Sequence, residues 1–451
     1  MQRNNLSRRQ FLLASAGVVG ITALSACVPA APSSNTSTTS EQPEAAAVSA
    51  EGGQISCLFH SSTGTGAYWT PRLDMFAEQH PEIEFTPLPT ADDAEYVQKI
   101  STMVAGGTPP EMVKFSGGRM LATASRGIYE DLTPRLETSE LFQRIWELLP
   151  GAGSELTYCG EQLGVPQDIA ARQWFYNQDI FDAAGVDYPT LEWTWDDMVS
   201  MGLAITNADE NLWFITPPVH SFEDASDWYW QAGTTLFSDD CGTSNLAAEK
   251  NIMAMEFFVG LFKTHNIAPS PSLGLGDIGI SFDTGRVAMM MSSTGTLAAQ
   301  LGPDATWDFN WSTLFAPTGP GGNNGFVKSN GFALVKGGPQ PDLAWQFIEW
   351  WHTDETATAF AELGELVPRS DIREQYSMAN IPEHLHPAIA RSATHGRGLQ
   401  RCPAWSETQR HWMQELDTAI TGDVPVAQAM QTAAEKAADE ITEVMAGACQ
   451  A

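Results

Sequence analysis

Ile55-Ser56-Cys57-Leu58-Phe59 is a short apolar run, and it opens the segment that decides the fold. A Ser/Thr/Gly loop, His60 to Gly66, follows it, after which Trp69, Leu73 and Phe76 recur at helical spacing. Ile83, Phe85 and Leu88 alternate beyond the break at Pro81, as a second strand does. Tyr96, Ile100, Met103 and Val104 mark another helix face, stopped by Gly106-Gly107-Thr108-Pro109-Pro110. Glu111 to Phe115 is a third strand, leading into Ser116-Gly117-Gly118. Strand–helix–strand–helix–strand predicts a parallel sheet, and ligands of such sheets gather at the carboxyl ends of the strands. The loops at 60–66 and 116–119 therefore lie on the functional edge.

Toward the C-terminus the pattern stays mixed. Thr157 to Val165 reads as a hairpin turning at Gly160, Gln173 to Tyr176 as a strand, and Asp179 to Gly185 as a short helix closed by glycine. Val199–Ile205 and Lys250–Phe262 read as helices, Val287–Met291 as a buried strand, and Pro341–Trp351 as a helix with proline in its first turn. Val426, Met430, Ala433, Ala437, Ile441 and Val444 form one helical stripe after Pro425. No internal repeat is present. The expectation is a mixed α/β chain in two lobes.

Toward the N-terminus the fold gives way to a leader. Arg3, Arg8 and Arg9 precede an uncharged apolar stretch, Phe11 to Ala26, too short for a comfortable membrane span and flanked like a signal peptide. Ser7-Arg8-Arg9-Gln10-Phe11-Leu12 matches the twin-arginine export pattern. Leu24-Ser25-Ala26-Cys27 resembles a bacterial lipobox, in which Cys27 carries the lipid. Residues 1–26 are thus expected to be a signal peptide. Residues 27–52 are expected to be a lipidated cysteine on a flexible Ser/Thr/Ala/Pro-rich tether. No other stretch is long and apolar enough to span a bilayer.

Composition narrows the function. The chain has 451 residues, of which 43% are hydrophobic and 10% aromatic, enough to fill large cores and to exclude disorder of the whole. Its 55 acidic against 23 basic residues, a formal charge of −32, repel phosphate backbones and anionic lipid, so no nucleic acid and no broad membrane adsorption are expected. Beyond Cys27 the cysteines (57, 159, 241, 402 and 449) are widely spaced, odd in number and lack a C-x-x-C pair, which argues against zinc and dithiol chemistry. Cys57 reads as a buried small hydrophobe. The others leave room for a disulfide without choosing the pair.

A series of short motifs, in order, carries a resemblance over nearly the whole chain. They include Gly106-Gly107-Thr108-Pro109-Pro110-Glu111, Gly127-Ile128-Tyr129-Glu130-Asp131-Leu132-Thr133-Pro134, Leu163-Gly164-Val165-Pro166, Tyr176-Asn177 and Phe181-Asp182-Ala183-Ala184-Gly185-Val186. Further on come Thr194-Trp195-Asp196-Asp197, Phe282-Asp283-Thr284-Gly285-Arg286-Val287-Ala288-Met289, Ala344-Trp345-Gln346-Phe347-Ile348 and Leu366-Val367-Pro368-Arg369. The chain resembles the extracellular solute-binding proteins of ABC importers, in particular the sugar-binding group related to maltose-binding protein.

The resemblance implies a two-lobe periplasmic-binding-protein fold of type II, with a ligand cleft between lobes joined by three crossovers near 165–171, 327–332 and 365–370. One lobe would be 53–165 plus 332–365, the other 171–327 plus 371–449. It implies a monomeric receptor, lipid-anchored outside the cytoplasm at the cell surface or in the periplasm. That receptor captures a carbohydrate by lobe closure and hands it to the transmembrane subunits of an ABC permease. It also implies no catalysis, no cofactor and no metal.

A sugar cleft needs planar polar groups and aromatic faces. By position in the family pattern the polar candidates are Ser61, Ser62 and Thr65 after the first strand, Ser116 after the third, Gln167 and Asp168 at the first crossing, and Ser329 and Asn330 at the second. Thr294 follows the strand Val287–Met291, where many sugar binders carry an aromatic and Ser292-Ser293-Thr294-Gly295-Thr296 has none. Trp228-Tyr229-Trp230 is expected to send at least one ring into the cleft, because three consecutive aromatics cannot all face one core; Trp405 is a further stacking candidate. Arg369 and Arg397, scarce cations in an acidic chain, bind an acidic sugar or lock a loop.

The rival readings are a same-fold receptor for a polyamine, phosphate ester or iron chelate, and a secreted carbohydrate-active enzyme with two carboxylates across the cleft. Gly274-Leu275-Gly276-Asp277-Ile278-Gly279 has dinucleotide-loop spacing but follows Pro269-Ser270-Pro271 rather than a strand. His384 and His386 lack a third metal ligand.

Overall fold

The computed structural model describes residues 52–447 apart from 61–64, 92, 117–119, 121–122, 150–155, 217–221, 270–278, 303–304, 363–365 and 401. The leader, the tether and Cys27 lie outside the described residues, as do Ser61, Ser62 and most of the Gly274–Gly279 stretch.

The apolar run quoted first is strand β1, Gly53–His60. Helix α1 (Thr65–Gln79), strand β2 (Ile83–Thr90), helix α2 (Asp93–Ala105) and strand β3 (Met112–Ser116) follow in the expected alternation. Both β2 and β3 pair with β1 in parallel, which is what right-handed crossovers through α1 and α2 require.

The next strand, β4, runs without interruption from Val165 to Asn177. Beyond it come β5 (Trp213–Ile215), helix α3 (Phe222–Gln231), helix α4 (Glu249–Lys263), β6 (Val287–Ser293), β7 (Trp311–Leu314) and β8 (Gly325–Leu334). Helix α5 spans Pro341–Trp351. Its proline sits where no intrahelical N–H is needed, and Ala344, Phe347, Ile348 and Trp351 form its buried stripe. Helix α6 (Asp354–Glu362), the two-residue strand β9 (Gly396–Arg397), helix α7 (Trp405–Thr421) and helix α8 (Val426–Gly447) complete the elements used below.

The strand order is β2-β1-β3-β8-β4-β6-β5, with β7 also on β4 and β9 also on β8. Strands β4 and β8 are antiparallel to each other and are the longest pair in the sheet. They belong to two cores at once. Val165 of β4 and Phe332 and Leu334 of β8 pack with Ile55, Cys57, Trp69, Phe76 and Trp351. At their other ends, Trp174 of β4 and Phe326 of β8 pack with Phe222, Trp228, Phe258, Trp412 and Ala433. This is a mixed α/β, two-lobe architecture in which the same two strands tie one hydrophobic core to the other.

The pairing of β4 and β8 slips where they pass between the cores. Asn330 faces Asp168, whereas Gly331 faces Pro166, so Gln167 is the extra residue of a bulge. Gly331 is dictated by close approach: a Cβ there would meet Leu156 Cδ1 at 2.8 Å and the Val165 carbonyl at 3.1 Å. A third segment passes the same point, since Ile169 N–H donates to the Leu366 carbonyl at 3.3 Å.

Of the cysteines, Cys241 and Cys402 are joined, with Cα atoms 5.3 Å apart, which pins the loop after α3 to the residues just before α7. Cys159 is also disulfide-bonded. Cys57 is fully buried as a free thiol, and burial raises its pKa, so it is chemically inert.

Candidate functional site in the cleft

The polar candidates at the crossing strands come together. Asn330 Nδ2 donates to Asp168 Oδ1 at 2.6 Å across β8 and β4, and both side chains stay partly exposed. Ser329 lies opposite Ile169, and Ser116 opposite Asn330 from the other neighbour, β3. Gln167 is buried, and its carbonyl accepts from Trp351 Nε1 at 3.1 Å. Thr294 ties the end of β6 to β4, its hydroxyl accepting from the Ala171 N–H at 3.2 Å. The side chains of Thr65 and Ser116 lie outside the described residues.

The aromatic candidates go elsewhere. Trp228 and Tyr229 are 0% exposed and Trp230 5%, all inside the second core. From Ala225 to Gln231 helix α3 is buried, so consecutive residues find apolar partners in different directions. Trp228 meets Trp174, Trp195 and Phe258, Tyr229 accepts from Trp412 Nε1 at 2.8 Å, and Trp230 leans toward Phe326. The expectation that one of these rings reaches the cleft is corrected on this point. Trp405 is likewise core, edge-on to Phe222 at 5.3 Å and held there by the neighbouring disulfide.

Arg369 locks the third crossing segment. It is 3% exposed and is bound by Asp371 at 2.5 Å, by Asp354 and by the His352 carbonyl. Those hydrogen bonds hold the carboxyls of Asp354 and Asp371 below the usual range. Arg397 is exposed on β9, beside Phe326 in register.

A cavity of about 240 Å³ opens against the second-core half of the crossing strands. Strand β4 lines it with Ala170, Ala171 and Arg172, and β8 with Phe326 and Lys328. Strand β6 adds Met291, Ser292 and Ser293, and the first turn of α3 adds Glu223 and Asp224. Lys328 Nζ donates to Glu223 Oε1 at 2.6 Å. Arg172 donates to the Glu223 carbonyl at 3.0 Å and lies 3.7 Å from Asp224 Oδ1. The guanidinium of Arg172 sits 5.4 Å and the Lys328 ammonium 5.9 Å from the centre of the Phe326 ring, so the two cations cap a ring that is 3% exposed and belongs to the second core.

Behind this wall Asp227 is 0% exposed, 3.6 Å from Arg172 Nε. Burial pushes its carboxyl up to about 7, against the opposing pull of Arg172 and the nearby Phe326 N–H. A larger cavity, about 360 Å³, lies away from the crossing strands among Leu136, Phe142, Trp146 and Gly160. It has no comparable convergence of charge.

Sequence reasoning missed Arg172, Glu223, Asp224, Asp227, Phe326 and Lys328. The signal was present: Arg172 and Lys328 are cations in or beside the crossing stretches of a chain poor in cations, and Glu223–Asp227 is the polar run before Trp228. Paired donors, paired acceptors, hydroxyls and an aromatic in one hollow suit a polyhydroxylated ligand. Among the described residues no group of three His, Cys, Asp or Glu side chains could hold a metal, and no helix is long and apolar enough to cross a membrane.

The sequence profile of the bacterial extracellular solute-binding proteins matches residues 60–358. The chain belongs to that family. Its architecture is that of solved relatives. One is an ABC substrate-binding protein of Listeria monocytogenes in complex with cycloalternan, with TM-score 0.76 and 22% identity, covering 87% of this chain and 99% of that one. Another is an ABC transporter solute-binding protein of Thermotoga lettingae bound with α-D-tagatose, with TM-score 0.73 and 19% identity over 86% and 99%. A shorter match, 32% identical over 109 residues and 24% of each chain, is to an arabinooligosaccharide-binding protein of Halalkalibacterium halodurans. The family is one of extracellular solute-binding proteins, so this chain is an extracytoplasmic solute-binding protein.

Proposed function

We propose that this solute-binding protein is a lipid-anchored receptor that captures a carbohydrate in the cleft at β4, β6 and β8 and delivers it unchanged to an ABC permease. The observation that carries the reading is the wall of Arg172, Lys328, Glu223, Asp224, Ser292 and Ser293 around Phe326, where acids and bases are already paired with one another. A ligand entering such a wall meets donors and acceptors in equal measure, which favours neutral hydroxyls over a net charge. Asp168, Asn330 and Thr294 extend it along the crossing strands. The relatives' saccharide and polyol ligands support the same class.

The lobes that close would be 53–165 plus 332–365 and 171–327 plus 371–449, turning about the bulge at Gln167. Closure draws its free energy from contacts the ligand makes with both at once. Cys27 would carry the lipid, residues 1–26 having been removed after twin-arginine export, and the receptor would act as a monomer.

The test is the melting of the body from about Gly52 onward against neutral mono- and oligosaccharides, uronic acids, sugar phosphates, amino acids and polyamines. A ligand at 1,000 times its Kd adds about 4 kcal/mol, a shift of several degrees. Shifts confined to neutral saccharides, recovered intact, are expected. A polyamine or phosphate response with silent sugars would sink the carbohydrate class, and a consumed sugar would sink the receptor. Labelling with a fatty-acid probe, lost in Cys27→Ser, tests the anchor.

A further inference from the structure

Asp227 and Arg172 form a buried pair that stops short of closing. No side chain closes a hydrogen bond on either Asp227 oxygen or on Arg172 Nε, although the two groups are 3.6 Å apart, and the nearby donor on the carboxylate's side is the Phe326 N–H. A buried carboxylate short of hydrogen bonds is costly, and one left so behind a cleft-lining arginine calls for an explanation. Helix α3 and the Phe326 ring of β8 set the arginine's plane: its Nε edge is turned to Asp227, a terminal amino group to the Glu223 carbonyl, and its face to the ring.

We propose that the buried carboxylate of Asp227 positions the Arg172 guanidinium for the ligand, so that the cleft binds more tightly with Asp227 ionised than with Asp227 protonated. This rests on the cleft being the ligand site. Ionised, Asp227 supplies a countercharge that holds the fork rigid while its outer face meets ligand hydroxyls. Protonated, it leaves Arg172 to the partly exposed Asp224 and Glu223, which pull it toward the cavity mouth.

Other charges do not offer a competing switch. Arg172 acts on Asp227 from β4, and Glu223 and Asp224 act from its own helix. Lys328 on β8 is engaged by Glu223. Helix α4 brings Lys250 to the Gly233 carbonyl, past the far end of α3. Helix α7 carries Glu407 in its first turn, and its Arg410 and His411 are both paired with Glu440. Because Asp227 titrates near neutrality, the linkage falls in the working range: affinity drops as pH falls from 8 to 6, and binding releases a proton.

The experiment is calorimetric titration at pH 6, 7 and 8 with whichever of maltose, maltotriose, tagatose and ribitol raises the melting temperature most. The wild-type protein is compared with Asp227→Asn. If only the ionised form binds, affinity falls about tenfold from pH 8 to 6, in proportion to the competent fraction. The variant should bind weakly at every pH, varying less than about twofold. A flat wild-type profile, or the same slope in the variant, overturns the proposal. Should none of these ligands bind, the carbohydrate reading fails on its own, and urea unfolding at pH 5 and 8 decides the pair. A stability difference between variant and wild type that does not change with pH overturns it. One that grows toward pH 8 keeps it, the other solutes of the panel then replacing the saccharide in the titration.

Discussion

Two arginines in this chain, Arg369 buried and Arg172 half-buried, sit between two carboxylates each, and they could hardly be more different. Arg369, at the third crossing, is saturated: Asp371, Asp354 and the His352 carbonyl take up its donors. Arg172, on the cleft wall, is left with a long contact to Asp224, an open pair with Asp227 and an unpartnered Nε. A saturated cluster holds one geometry and has nothing left to offer a ligand. An under-satisfied one keeps binding capacity in reserve, which is what a cleft needs.

The titratable group beside each arginine repeats the contrast. Burial lowers His352 to about 3 and raises Asp227 to about 7, the same desolvation acting on opposite charge types. His352 is neutral at every working pH and so is silent. Its depressed pKa contributes stability that is complete above 6.5 and is lost as pH falls toward 3. At about 1.4 kcal/mol per unit the loss by pH 3 is on the order of 4 kcal/mol. Between pH 6.5 and 4.5 the carboxyls of Asp354 and Asp371 do not yet contribute, since both titrate below their ordinary values. Over that window the raised carboxyl of Asp227 gains stability as pH falls while His352 loses it, so urea unfolding should be nearly flat in the wild type, whereas His352→Gln should grow more stable toward pH 4.5. Parallel curves would mean that the histidine is not the buried group it looks to be.

The saturated cluster should also fail structurally and nowhere else. Arg369→Met removes a 3%-exposed cation, but Asp354 and Asp371 are 63% and 39% exposed and can rehydrate. The cost should fall below the 3–5 kcal/mol of a wholly buried pair, at about 2 kcal/mol, or about 5 °C in Tm. Ligand Kd should move less than about threefold. A tenfold weakening without a fall in Tm would restore Arg369 to the binding site, where the sequence had allowed it.

Arg172→Met is the mirror case. Its pair is not closed, and Asp227 can take up a proton instead of remaining a stranded charge. Stability at pH 6 should change by less than about 1 kcal/mol while saccharide binding is lost. A large loss of stability with intact affinity would reverse the roles assigned to the two arginines.

The reach of the sequence divides along the same line. Elements with a clean period could be read. The β/α opening from Ile55 to Phe115 and the stripe of Pro341–Trp351 appear in the structure nearly as expected, because short apolar runs of strand length alternate there with helical stripes. Strand β4 buries residues on both faces, so only Gln173–Tyr176 of its thirteen residues had a recognisable pattern. Helix α3 is buried from Ala225 to Gln231, so its three consecutive aromatics all find core partners, which adjacency in sequence did not reveal. The polar residues at the bulge were found through family position. The charged wall was not, since residues 172, 223 and 328 become neighbours only when β4, α3 and β8 are laid side by side.

Lys328 offers the smallest and finest test of that wall. It pairs with Glu223 at 2.6 Å, both side chains 26% exposed, a geometry worth little to folding. Lys328→Met should change stability by less than about 0.5 kcal/mol, within the scatter of denaturant measurements. Its methylene stem would still cover Phe326, so packing is kept while one donor is removed and Glu223 is freed. If β8 contributes to the ligand site as β4 does, affinity falls several-fold. The freed carboxylate also makes the cavity net acidic, so polyamines should gain on saccharides in competition. If affinity and selectivity both stay put, the binding surface ends at Arg172 and Phe326, and Lys328 belongs with Arg369 among the residues whose charges are already spent on structure.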